Sequence, residues 1–332
     1  MAVRESAPPK ESVAFPEGAG ATRRRHPRRR VPGGPLLDRT GEAIFRERLL
    51  PYALVVPQLA IVVIFFLWPT VRAIYESFEE TTAFGTGARF SGLTNFVNAF
   101  TVADELGTIE VTVILACLTT ALAMGIGLFL AVEVDQTGRG RRVYRTLLIW
   151  TYAVPSAIAG ALWLFLFEPN VGAGARLLVD LGVNWNFALH SVQAFALLVA
   201  VIVWQQAAYN FLFYTAGLQM IPRDVVEAAD IDGASRLARF WRVIFPLLSP
   251  QTFYLLVMNV LYAFFSSFAL IDVITHGGPG NATTTVVYQV YRDAFQNGNT
   301  GLGGAETIFM LLIAVALTAV QFRFLNRKVF YR

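Results

Sequence analysis

The sequence predicts an all-α membrane protein of six transmembrane helices with both termini in the cytoplasm. Three observations carry that reading. Only 15% of the 332 residues are charged and 55% are hydrophobic, with a mean hydropathy of +0.52, whereas a soluble domain carries about 25% charged residues. Six apolar stretches are each long enough to cross about 30 Å of hydrocarbon at about 1.5 Å per residue. Lys and Arg are distributed very unequally between the two sides those stretches define.

Residues 1–48 read as a disordered, basic cytoplasmic tail. The first 49 residues hold 11 of the 27 basic groups and 6 of the 23 acidic ones, and Ala, Gly, Pro and Glu fill much of the remainder, which leaves little apolar surface to bury. The run Arg23-Arg24-Arg25-His26-Pro27-Arg28-Arg29-Arg30 suits anionic lipid ahead of a first span better than it suits nucleic acid. Residues 49–332 form the transmembrane domain, with spans at about 52–74, 108–134, 143–167, 192–218, 251–275 and 305–324. The first begins too far along the chain, and is too long, for a cleaved signal peptide. Twenty-three of the 27 basic residues fall in the tail, in residues 135–145, in residues 220–249 and at the C-terminal end, while Arg72, Arg89, Arg176 and Arg292 lie on the opposite side. The positive-inside rule then places both termini in the cytoplasm. Pro57, Pro69 and Pro155 fall in or near spans, where neighbouring helices must satisfy the backbone groups they free. Small residues at Gly125-Ile126-Gly127 and at 157–161 suit close helix approach.

Several kinds of chemistry have no machinery in this sequence. A single cysteine, Cys117, and three scattered histidines exclude a disulfide framework and make a His/Cys metal site improbable. There is no G-x-x-x-x-G-K-[ST] phosphate loop, no H-E-x-x-H and no G-x-S-x-G. The glycine clusters at 85–92 and 301–304 lack the lysine and the strand-to-helix context of a phosphate loop. Glu110 and Asp272 sit at span ends, and no span carries a carboxylate near its centre, as ion-coupled transport normally requires. Transport is then either passive or driven from outside the chain.

The cytoplasmic loop 220–249 is the informative stretch. Asp224 followed three residues later by Glu227 predicts an N-cap with its capping-box partner, and Gly233 suits a helix end that needs positive φ. Leu237, Phe240, Trp241 and Ile244 form an apolar stripe on a second helix that Pro246 ends or kinks. On spacing alone this is a helical hairpin linking two spans. In the fourth and fifth spans, Gln205 and Tyr209 share one face, Gln206 and Asn210 the next, and Asn259, Tyr262 and Ser266 follow one stripe. Such polar groups either line a path or hold helices together by hydrogen bonds, and the sequence leaves both open.

Glu227-Ala228-Ala229, then Gly233, then Val243-Ile244-Phe245-Pro246 resembles the E-A-A-x3-G-x9-I-x-L-P signature of permease subunits of bacterial ABC importers, with Val243 and Phe245 as apolar departures. Leu50–Leu59, Tyr209–Phe213, Leu261–Phe265, Gly277-Gly278-Pro279 with Ala282–Thr285, and Val320–Arg323 extend the resemblance over nearly all of the chain after residue 48, within the subfamily serving sn-glycerol 3-phosphate and sugars. The resemblance implies a type I importer permease bundle in the bacterial inner membrane. It also implies that Glu227, Ala228, Ala229, Gly233 and Pro246 belong to the loop that couples to an ATPase. The implied partners are a second homologous permease, two ATP-binding subunits that hold ATP and Mg, and an extracytoplasmic solute-binding protein. The chain itself would be a non-catalytic half of the pore, without cofactor, metal or nucleic acid. The implied solute is sn-glycerol 3-phosphate or a glycerophosphodiester, with a sugar or oligosaccharide as the alternative. A passive channel and a membrane scaffold are the competing classes.

Overall fold

The structure is a computed structural model that describes residues 36–37, 43–44, 49–81, 87–101, 103–136 and 141–328. Contacts divide the chain into two units, 1–62 and 63–332. In the first, β1 (Leu36–Leu37) pairs antiparallel with β2 (Ala43–Ile44), and α1 (Leu49–Val62) follows with Pro57 inside it. The rest of the expected tail lies outside the described residues.

The second unit opens with a π-helical turn, Val63–Leu67, and α2 (Trp68–Glu76). A hairpin of β3 (Glu79–Thr81) and β4 (Ala88–Phe90) follows, then α3 (Thr94–Thr101) and the long α4 (Ala103–Gln136). Next come α5 (Arg141–Tyr152), α6 (Ser156–Phe167), α7 (Ala173–Asp180) and α8 (Ser191–Gln219). The segment after α8 supplies α9 (Arg223–Ile231), α10 (Arg236–Arg239), a π turn at Phe240–Ile244 and α11 (Phe245–Leu247). Then follow α12 (Ser249–Leu261), a π turn at Tyr262–Ser266, α13 (Phe268–Ile274), α14 (Val286–Tyr291), a π turn at Arg292–Gln296 and α15 (Thr300–Lys328).

Among the described residues, four helical stretches are long and apolar enough to cross a membrane: Tyr52–Glu76, Leu106–Gln136, Ser191–Gln219 and Thr300–Arg323. Two bent pairs bring the total to six if each counts as one span: Arg142–Tyr152 with Ser156–Phe167, bent by 97°, and Arg236–Leu247 with Ser249–Ser266, bent by 70°. The expected single span 143–167 is therefore two helices. Pro155 lacks an N–H and pushes Val154 out of helical geometry, so the chain turns at 153–155. The Val154 carbonyl freed there accepts a hydrogen bond from Gln205 Nε2 at 2.9 Å, the kind of repair a broken membrane helix needs.

Helix α8 is the centre of this unit, with 67% of its most apolar window buried against 17% for α15. Leu198 and Ile202 pack with Leu270, Ile271 and Tyr288 towards one end, and Phe211 and Tyr214 with Ala131, Leu248 and Leu255 towards the other. Helix α4 lies against α8 so closely that a Cβ on Gly127 would sit 2.5 Å from Asn210 Cβ and 3.0 Å from both Ala207 O and Phe211 N. Its neighbour Gly125 faces open space, so only one of the two glycines makes the close approach. The cluster 301–304 is not a loop but the first turn of α15, where a Cβ on Gly304 would meet Ala73 O at 2.9 Å. Glu306, near the start of α15 and at the end of the predicted sixth span, is 3% exposed.

Candidate functional site

The loop 220–249 builds its first helix differently from the predicted capping box. Pro222 is the N-cap residue, with no side-chain cap, and Asp224 lies inside the first turn. Pro at this position fixes φ at −59° and sets the helix start, while the Asp224 carboxylate sits where the helix dipole favours negative charge. The other end follows the expectation. Gly233 has φ +74°, its N–H bonds Asp230 O at 3.1 Å, and the Ala234 N–H bonds Ala229 O at 3.1 Å, the paired bonds of a Schellman motif. A Cβ on Gly233 would meet nothing within 4 Å, so the position needs glycine for its backbone angle rather than for space.

Helix α9 buries no residue. Glu227, Ala228 and Gly233 are exposed and Ala229 is half-buried, so the signature residues are presented outward. Ser235 caps the next helix, its Oγ accepting from the Ala238 N–H at 3.3 Å, and Arg239 pairs with Asp230 across the hairpin. Pro246 does not end that helix, which continues to Leu247. The π turn before it closes with the Phe245 N–H on Phe240 O, which leaves Pro246 at the start of a new turn where an N–H is dispensable. Asp135, Gln136, Gln219, Arg223, Glu227 and Arg239 line a cleft of about 440 Å³ between the ends of α4 and α8 and this loop.

The seven candidate path residues fall into two groups that share Tyr262. Asn210 and Asn259 form a reciprocal amide pair: Asn210 Nδ2 donates to Asn259 Oδ1 at 3.0 Å, and Asn259 Nδ2 to Asn210 Oδ1 at 2.9 Å. Each also donates to the carbonyl four residues back, Gln206 O and Leu255 O, at 2.7 Å. They are 0% and 3% exposed, and their hydrogen bonds hold α8 to α12. Gln205 is occupied likewise, donating to Val154 O while its Oε1 accepts from Tyr262 Oη at 3.3 Å. Tyr262 Oη also lies 3.1 Å from Ser156 Oγ, so one network ties the break at Pro155 to α8 and to the π turn after α12.

The other group faces space. Gln206, Tyr209, Tyr262 and Ser266 line a cavity of about 550 Å³, joined by Tyr152 and Phe265. Tyr262, Phe265 and Ser266 stand on the π turn, whose extra width turns them together, a recurrent use of π bulges. Tyr209 Oη lies 3.3 Å from Tyr254 Oη. Sequence reasoning missed Tyr152 and Phe265. Tyr152 was legible in retrospect, because it ends the helix that Pro155 interrupts. The remaining lining residues are Met258, Leu261 and Ala314, so the wall offers hydroxyls, one amide and aromatic faces, and no cation.

Residues 123–331 match the family described as binding-protein-dependent transport system inner membrane component. The chain is 48% identical over 287 residues to the sn-glycerol-3-phosphate transport system permease protein UgpA of Brucella abortus biovar 1 (strain 9-941), covering 86% of this chain and 98% of that one. It is 47% identical over 288 residues to the protein of the same name in Rhizobium meliloti (strain 1021), covering 87% and 98%. Its fold matches a chain of the crystal structure of a bacterial ABC transporter that imports the acidic polysaccharide alginate, with a TM-score of 0.73 at 20% identity over 85% of this chain and 96% of that one. A second structure of a bacterial alginate ABC transporter, in complex with an alginate-pentasaccharide-bound periplasmic protein, gives a TM-score of 0.71 at 20% identity over 84% and 94%. A match over most of the chain, together with relatives of this identity spanned almost end to end, makes this chain a member of the binding-protein-dependent transport system inner membrane component family.

Proposed function

We propose that this chain is a non-catalytic permease subunit of an ATP-driven importer of sn-glycerol 3-phosphate, with six spans and both termini in the cytoplasm. The single observation that carries the solute is the 48% identity over 98% of a relative named for that transport. In this reading the chain forms half of a pore with a second homologous permease. Two ATPase subunits hold ATP and Mg, and an extracytoplasmic protein delivers the solute. Glu227, Ala228, Ala229 and Gly233 meet an ATPase subunit, and the basic tail lies on anionic lipid. Delivered solute and ATP shift the pore between inward- and outward-facing states only by their differential affinity for the two.

A second reading, import of a glycerophosphodiester or a sugar, draws on the cavity. Its wall of tyrosines, an amide and a serine suits hydroxyl groups, whereas phosphate recognition favours a guanidinium or ammonium. The test is ATP hydrolysis by the complete complex in proteoliposomes with its binding protein, with glycerol 3-phosphate, glycerophosphocholine and a disaccharide offered in turn. Stimulation by glycerol 3-phosphate supports the first reading. Stimulation by glycerophosphocholine or by the disaccharide, without stimulation by glycerol 3-phosphate, replaces it with the second.

A further inference from the structure

Helix α9 has no buried residue to anchor it, and residues 232–235 that follow it are a turn ending on the Ser235 cap. Displacing such a helix would swivel it about that turn unless a side chain fixed it to the next element. Arg239 supplies that link. Its Nη1 donates to Asp230 Oδ1 across the hairpin, with Arg239 20% and Asp230 49% exposed, so the guanidinium is held well inside while the carboxylate stays half in solvent.

The far end of the Arg236–Leu247 segment is seated very differently. Where the chain bends by 70°, Leu248 is 1% exposed among Ala131, Phe211, Tyr214 and Leu255. A Cβ on Gly217 would lie 2.9 Å from Leu248 Cδ2, so the bare glycine of α8 forms the notch that receives this side chain. The Leu248 N–H bonds Ile244 O at 3.0 Å and the Thr252 N–H bonds Leu248 O at 2.8 Å, so backbone hydrogen bonds run on through the bend. A segment tied at one end and pivoted at the other behaves as a lever.

The geometry points to Asp230 and Arg239 as positioning residues that lock α9 to Arg236–Leu247, so that the two move as one lever about Leu248 in the Gly217 notch. Movement of α9 then reaches α12 and its π turn, which carry Asn259, Tyr262 and Ser266. This rests on the importer reading above and adds the route by which it works.

The test compares solute moved per ATP hydrolysed, in proteoliposomes of the complete importer, for wild type, Asp230→Asn, Arg239→Gln and the charge swap Asp230→Arg with Arg239→Asp. Each single variant is expected to lower the ratio about fivefold, the size of a partly exposed ion pair, with ATP hydrolysis retained and the swap recovering most of the loss. A variant impaired only in folding would lose hydrolysis and uptake together and leave the ratio unchanged. Wild-type ratios in both single variants, or a swap no better than either, overturn the lever. If a single variant does not accumulate as a complex, recovery of assembly by the swap is read in the same way. Absence of ATP-coupled uptake by the wild type would instead overturn the importer reading itself.

Discussion

Three residues separate α8 from α9, yet the two helices are built on opposite terms. Fifteen residues of α8 are buried and none of α9 is. Helix α8 carries its polar groups inward, where Asn210 is fully paired with Asn259, while α9 carries Glu227 and Ala228 outward. The contrast separates a tightly packed part of the molecule from one whose residues all stay at least partly exposed. Buried, fully paired amides specify one arrangement of packed helices. A helix that buries none of its residues adds little to global stability, so substitutions in it are expected to show in uptake rather than in unfolding.

Substitutions in the two regions should therefore fail differently. The largest effect on stability is expected at Gly127. Gly127→Ala places a methyl group against the backbone of α8, and overpacking of that kind costs about 1–3 kcal/mol. Gly125→Ala, facing open space, should leave the unfolding midpoint in detergent within error of wild type. Equal midpoints for the two variants would contradict the packing described. Next in size is Asn259→Leu, which strands the Asn210 amide at a cost of about 1–2 kcal/mol. Asn210→Leu with Asn259→Leu together should recover part of that loss in the same measurement.

Gly233→Val should lower the unfolding midpoint least of these, because the strain of a left-handed β-branched residue, about 1–2 kcal/mol, stays in an exposed turn that can fray. Its effect should appear in uptake instead, with Gly233→Asn milder because Asn tolerates positive φ. The smallest effect belongs to Tyr209→Phe, which removes one hydroxyl from the cavity wall and a 3.3 Å hydrogen bond to Tyr254. Stability should be unchanged, and the solute concentration for half-maximal uptake should rise severalfold, as loss of one hydroxyl contact implies.

Much of this was legible in the sequence, and what was not has identifiable physical causes. The apolar segments and the Gly233 stop follow from composition and backbone preference, which act locally. The helix starts at Pro222 rather than at Asp224: both residues favour a first turn, and only the backbone geometry decides between them. Pro155 announced a distortion but not a bend of 97°, since the size of a break depends on partners such as Gln205 that lie 51 residues away. Helical periodicity assigns Gln205 with Tyr209, Gln206 with Asn210, and Asn259 with Tyr262 and Ser266 to shared faces, and leaves open which of them line a path and which hold helices together. Which face of α8 meets another helix and which meets space is a tertiary fact that periodicity does not carry. The π turn at Tyr262–Ser266 likewise has no residue signature, although it gathers Tyr262, Phe265 and Ser266 into the cavity wall.

The most direct measurement compares wild type with Gly233→Asp in the complete importer reconstituted in proteoliposomes, following the unfolding midpoint and ATP-dependent solute uptake on the same preparation. An intact, assembled complex with a near-wild-type midpoint and uptake reduced at least tenfold is the predicted result, because the added side chain meets open space within this chain and Asp tolerates positive φ, while its carboxylate adds charge and bulk at the exposed end of α9. Wild-type uptake by that variant, or uptake by the wild type that persists without ATP, would show that α9 does not couple this chain to an ATPase.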